Sequence, residues 1–216
     1  MDNQSKMLFD EFSELLEHLG ELDTEKRNSG LDWDHLDWGF TKVAWALGDI
    51  RLIFYDNNIN NEKDLIYIIV KMDWIYEFAR DLETFLHTKI KDYNSLEKDN
   101  QLLMKFKLIR DLFIAHPMGI NSKKYDEYKG YMVKDSRFGV DQSMSIAMIC
   151  DDSLEIEELF ACNKEYKNCE RIYLLLSSDD SEKYIFFKEN HLLNILEEIK
   201  QWYMQIKEGY ERRIIQ

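Results

Sequence analysis

Apolar residues recur at three- and four-residue intervals through most of the first half of the chain. Between 6 and 22 they fall at Phe9, Phe12, Leu16 and Leu19; between 40 and 55 at Phe40, Val43, Leu47, Ile50 and Phe54. Between 63 and 88 the same spacing links Leu65, Ile68, Ile69, Met72, Ile75, Ala79, Leu82 and Leu86. Successive residues of an α-helix lie about 100° apart, so each set gathers into one apolar stripe and predicts an amphipathic helix. A fourth helix is predicted from Asn94, whose side chain can cap it, with Glu97 completing a capping-box-like pair. It runs through Leu102, Phe106, Ile109 and Phe113 towards Pro117. Four helices with short connections favour an up-and-down bundle over residues 1–120.

Beyond Pro117 the period changes. MSIAMIC at 144–150 reads as strand, and RIYLLLS at 171–177 and KYIFFKE at 183–189 read as a hairpin whose turn chemistry is supplied by Ser and Asp. Residues 190–213 return to helical spacing, with Leu192, Leu196, Ile199, Tyr203, Ile206 and Tyr210 on one face. The expected fold class is therefore mainly α with an α+β addition: a helical bundle over 1–120, then a small antiparallel β extension and a C-terminal helix over 121–216, packed on the bundle. Neither an internal repeat nor a low-complexity linker separates the two parts.

Composition narrows the range of partners. The chain has 216 residues, 45% of them apolar, with 5 Trp, 12 Tyr and 12 Phe, enough for a sizeable core. Its formal charge of −14 repels nucleic acid and anionic membrane, so a polyanion has to be met by a local patch. One stretch qualifies: residues 89–137 carry 11 Lys and Arg against 7 Asp and Glu, a net +4 that leaves −18 for the rest. Cys150, Cys162 and Cys169 are odd in number and lack a C-x-x-C pair, which fits a reducing compartment and indicates neither a disulfide framework nor a zinc ribbon. The N-terminus has no basic segment followed by an apolar one, and the longest apolar run, LIYIIV at 65–70, is too short to cross a bilayer. A cytoplasmic protein that does not enter the membrane is expected.

The single proline follows a histidine in RDLFIAHP, residues 110–117, inside the positive stretch. In an unbroken helix Arg110 and His116 would diverge by about 120° around the axis and stand about 9 Å apart along it. Pro117 pushes the residue before it out of the α region, so His116 is expected at a helix terminus, where its imidazole can turn towards the face that Arg110 reaches. The negative end of the helix dipole favours a protonated histidine there. A permanent cation beside one that titrates near neutrality suits contact with a phosphodiester.

This motif resembles that of the HEPN superfamily: an arginine, a polar residue directly after it, and a histidine a few positions on, at the end of the last core helix of a four- or five-helix bundle. Arg110, Asp111 and His116 match the pattern with five residues between arginine and histidine. The resemblance implies a metal-independent endoribonuclease of the toxin or phage-defence kind, acting as a homodimer in which two motifs meet in one composite site, with an antitoxin-like protein as a further partner. His116 would act as general base on a ribose 2′-OH or as acid on the leaving oxygen. Arg110 would hold the scissile phosphate. Asp111, where the family more often has asparagine, would orient the pair. No cofactor or metal is implied.

Other patterns compete with this one. RDLETFLH, residues 80–87, repeats it with Arg80, Asp81 and His87, but residues seven apart in a continuous helix simply share a face. Asp32, Asp34, His35 and Asp37 gather donors suited to a divalent metal, yet acidic residues just ahead of a helix are explained by capping and the helix dipole. His18 and His191 read as structural. The alternative to the nuclease is a non-catalytic helical interaction and dimerisation module whose Arg–His pair only shapes a helix end.

Overall fold

The computed structural model describes residues 3–26, 34–55, 59, 62–87, 100–115, 127–139, 156–158 and 171–214. Three long helices come first, α1 (Asn3–Lys26), α2 (Asp34–Tyr55) and α3 (Glu62–His87). The fourth, α4 (Gln101–Arg110), continues directly into a π-helical turn, Asp111–Ala115. Then come β1 (Met132–Gly139), β2 (Ile156–Glu158), β3 (Arg171–Ser177), β4 (Glu182–Lys188) and α5 (Glu189–Ile214). The chain is mainly helical with one small sheet, as its periodicity predicts. Among the described residues no helix is long and apolar enough to cross a membrane.

Two boundaries differ from expectation. Asn100 is not helical, so α4 starts at Gln101 and not at Asn94, and the preceding residue is again an asparagine, a favoured capping type. Asn94 and Glu97 lie outside the described residues, as does the strand expected at 144–150. Helix α2 starts at Asp34, six residues before its first predicted core position.

The chain forms two compact units that interleave along the sequence. The first comprises residues 1–58, 70–100 and 196–216, which bring together α1, α2, most of α3 and most of α5. Its contacts close a ring of four helices. Phe9 of α1 packs on Phe54 of α2 (6.4 Å between centroids), and Asp10 pairs with Arg51 at 2.9 Å. Phe40 of α2 meets Phe78 of α3 edge-on at 4.9 Å, and Asp49 pairs with Lys71 at 2.8 Å. Tyr76 of α3 packs edge-on against Trp202 of α5 at 5.4 Å, and Phe12 of α1 against Tyr203 of α5 at 5.2 Å. The order of these pairs sets direction: 9 with 54, then 40 with 78 and 49 with 71, run antiparallel, so α1, α2 and α3 alternate. Glu11 with Lys200 and His18 with Glu211 rise together, so α5 closes the ring parallel to α1.

Every α5 residue assigned to the apolar face from its spacing is buried, with Ile199, Tyr203 and Ile206 fully so. The Tyr203 hydroxyl donates 2.8 Å to the Ile75 carbonyl. Burial, with a smaller contribution from Asp81, pushes its pKa well above the ordinary tyrosine value. Burial of Lys200 acts in the opposite sense on an ammonium, but Glu11 at 2.7 Å and Glu197 at 2.9 Å outweigh it and hold the lysine above its ordinary value. Both groups keep their protons in the native state at a pH where the unfolded chain releases them. The contribution of these two groups is therefore complete below about pH 10 and falls as pH rises beyond it. Tyr203→Phe should cost about 1 kcal/mol at neutral pH through the lost hydrogen bond, yet flatten the alkaline fall by up to about 1.4 kcal/mol per pH unit. Urea titrations between pH 7 and 11 read both effects, and an unchanged slope would refute the assignment.

Glycine marks one close approach. A Cβ on Gly39 would fall 2.0 Å from the Phe78 ring, whereas one on Gly20 of α1 would meet nothing within 4 Å. Gly39→Ala forces the Phe40–Phe78 contact apart and should lose about 1–2 kcal/mol, while Gly20→Ala should gain about 0.5–1 kcal/mol from helix propensity alone. Thermal melts of the two variants should therefore shift in opposite directions.

The second unit comprises residues 59–69 and 101–195. Its sheet has the order β1-β3-β4-β2. The expected hairpin is present: β3 and β4 pair antiparallel from Arg171 opposite Lys188 to Ser177 opposite Glu182, and Ser178 N–H donates to the Ser181 carbonyl across the turn. On one side β1 joins β3 antiparallel; on the other β2 pairs with β4 in parallel. Ile172, Leu174, Leu176, Ile185 and Phe187 alternate along the hairpin and are buried, the period-2 signature of a sheet with one core face. Ahead of β1, Tyr131 N–H closes a turn on the Tyr128 carbonyl, and Gly130 takes the left-handed φ of 81° that this turn requires. The Lys183 ammonium lies 3.8 Å from the Tyr128 ring centroid, tying β4 to that turn.

Candidate functional site

The site is built on α4, which is anchored by Leu103, Phe106, Leu108 and Ile109, all buried. With that face fixed, Arg110 occupies the last α-helical position and Asp111 the first of the π turn. The two side chains are joined. Arg110 Nε and Nη2 both donate to Asp111 Oδ1, at 3.0 and 2.8 Å. The pair is largely withdrawn from solvent, with the arginine side chain 20% exposed and the aspartate 11%. A charge-assisted contact of this kind sets the direction of the guanidinium, because two donors of its planar fork are committed to one oxygen.

The π turn changes the geometry between the motif residues. Its i→i+5 hydrogen bonding fits one more residue into the turn than an α-helix holds, so the backbone from Asp111 to Ala115 departs from the winding of a continuous α-helix. Sequence periodicity gives no signal for this widening: Leu112, near its start, is buried like any core position of an α-helix. His116 and Pro117 lie outside the described residues, so the structure brings together Arg110 and Asp111 of the expected trio.

The rival pattern is placed in part. Arg80 and His87 stand in one continuous helix, and Arg80 is exposed and paired with Glu77 on the same helix. Between them Glu83 turns inward, only 4% exposed, and accepts a hydrogen bond from the Trp202 indole at 3.1 Å. This segment holds the bundle together. Asp34, His35 and Asp37 fall in the first turn of α2, and Asp32 and the three cysteines lie outside the described residues. His18 Nε2 sits 3.5 Å from Glu211, a contact between α1 and α5, and His191 is 2% exposed within α5.

Of the cations in the positive stretch, Lys134 is paired with Glu182 and Arg110 with Asp111. Lys105 and Lys107 ride on α4, and Lys129 is exposed. The remaining cations, Lys89, Lys91, Lys98, Lys123, Lys124 and Arg137, fall where no side chain is described. Compared with known proteins, the chain matches no family model, no curated protein and no solved structure.

Proposed function

We propose that the protein is a HEPN-like, metal-independent endoribonuclease of the toxin or phage-defence kind, acting as a cytoplasmic homodimer on RNA, with Arg110, Asp111 and His116 as its catalytic group. One observation carries the reading: the helix that bears the motif changes from α to π at Asp111, between the arginine and the histidine. Such widened turns are rare and concentrate at functional sites, where they re-aim side chains. In this mechanism Arg110 binds the scissile phosphate and offsets its growing charge. His116 takes the proton of the 2′-OH, or delivers one to the leaving oxygen, and the products carry 2′,3′-cyclic phosphate ends.

A second reading has an observation of its own. Arg110 is already neutralised by Asp111 in a pair that is nearly buried. This favours a non-catalytic interaction module in which the pair fastens the end of α4. Incubating the protein with total and defined RNA in EDTA separates the two. The nuclease reading expects cleavage with cyclic-phosphate ends that His116→Ala abolishes and His87→Ala leaves intact. Intact RNA favours the interaction module, and equal cleavage by all three proteins removes His116 from the catalytic group.

A further inference from the structure

Helix α2 carries two apolar stripes. One, Phe40, Val43, Leu47, Ile50 and Phe54, faces the core. The other, at positions 38, 41, 45, 48, 52 and 55, repeats the same three- and four-residue spacing on the opposite side and is exposed throughout. It presents Trp38 at 62% exposure, Trp45 at 64%, Leu52 at 62% and Tyr55 at 63%. Between them Ala44 and Gly48 line a groove with Trp45, Arg51, Leu52 and Tyr55. Four large apolar groups in register on one solvent-facing helix form a patch of the kind that marks an interaction surface.

We propose that this face of α2 is a homodimer interface, in which the helix packs antiparallel against the same helix of a second copy about a two-fold axis at Gly48. The stripe is self-complementary about that residue, as an isologous contact requires. Trp45, three positions before Gly48, meets Leu52, four positions after it, while Thr41 and Tyr55, seven either side, meet each other. Gly48, with no side chain, lets the axes approach to about the 8 Å of close helix packing.

Charge and area are both compatible with a second copy. Two acidic groups beside the stripe are paired internally, Asp49 with Lys71 and Asp10 with Arg51, which offsets their charge towards a second acidic copy. Lys71 also stacks on Trp74 at 4.3 Å, which adds a further exposed aromatic at the rim. An aromatic side chain buries about 150–250 Å², so three at over 60% exposure, with Leu52, offer about 400–500 Å² per copy. Two copies and their polar rim then reach about 1,200 Å², the lower end for stable association.

This inference supplies an interface for the homodimer of the proposed function and rests on that reading for nothing else, so loss of the dimer and loss of RNA cleavage are read separately. Sedimentation equilibrium of the full chain tests it. The wild type should be a dimer, and Trp45→Glu with Leu52→Glu should weaken association at least about thirtyfold, the loss expected of a central interface aromatic, with unchanged far-UV circular dichroism. Met204→Glu, an exposed site on α5 diagonally across the bundle, should leave the dimer intact. In a chain whose Cys150, Cys162 and Cys169 are changed to serine, Gly48→Cys should give a disulfide crosslinked dimer on oxidation where the parent gives none. A monomeric wild type or a double variant that folds and stays dimeric overturns the proposal. Should the double variant fail to fold, the absence of a crosslink in the Gly48→Cys protein overturns it instead.

Discussion

Trp202→Ala is expected to remove about 3–5 kcal/mol of stability, a large part of the roughly 5–15 kcal/mol that holds a folded protein together. Trp202 is fully buried, stacked edge-on against Tyr76, and it donates its indole N–H to Glu83 inside the bundle. Truncation deletes the largest side chain of the first unit's core, opens a cavity that neighbouring helices can only partly close, and takes the indole donor from a carboxylate that is 4% exposed. The contributions separate by substitution. Trp202→Phe keeps most of the volume but loses the N–H, and should cost about 1–3 kcal/mol. Glu83→Gln keeps an acceptor oxygen and should cost less than about 1 kcal/mol. Urea denaturation reads all three midpoints. A loss below about 1 kcal/mol for the alanine variant would mean that Trp202 is not central to the core.

The residues that make this core are visible in the sequence as a period, not as contacts. Phe9, Phe12, Leu16, Leu19, Val43, Leu47, Ile50 and the α5 stripe are buried where their spacing puts them, because a 3.6-residue turn leaves an amphipathic helix one way to shield its apolar face. Periodicity carries no information on which helices face each other. Four successive helices suggest a bundle, but the ring is closed by α5, whose Trp202 and Tyr203 bind α3 and α1 from a distance of more than a hundred residues. α4 belongs instead with the sheet. The same limit hides the partners of Glu83 and Lys200, charged residues four positions after Ala79 and Leu196 at the edges of the apolar stripes. Each is held inside by a long-range partner, Trp202 for one and Glu11 for the other.

At the site, the pairing of Arg110 with Asp111 follows from adjacency, but the π turn does not. An α-helix and a π-helix both bury Leu112, so no hydrophobic pattern distinguishes them, and the choice depends on how the second unit packs around the end of α4. The exposed stripe of α2 is legible in the sequence, yet a search for one apolar face per helix passes over it. Trp38, Trp45 and Leu52 stand seven residues apart, and a helix apolar on two faces implies two partners.

Arg110→Ala is expected to lower RNA cleavage by about 10²–10³-fold, and Asp111→Asn to raise it, an opposition that no purely structural role for the pair produces. Arg110 spends Nε and Nη2 on one oxygen of Asp111, at 3.0 and 2.8 Å, so a scissile phosphate has to compete with a carboxylate for the same fork. Asparagine leaves an acceptor in place without the charge, so the guanidinium keeps a hydrogen-bond partner but loses the ion-pair attraction. Release of the fork, together with removal of a negative charge beside the phosphate, should yield about a tenfold gain in RNA affinity. Arg110→Lys should not restore the alanine variant's loss, because an ammonium offers a point charge where two parallel donors are needed. The salt dependence of RNA binding tests the same geometry without catalysis, since losing one phosphate contact should lower the slope by about 0.7–1. If Asp111→Asn instead leaves cleavage unchanged and only lowers the melting temperature, Asp111 is a tie that holds α4 against its π turn and has no part in the cleavage.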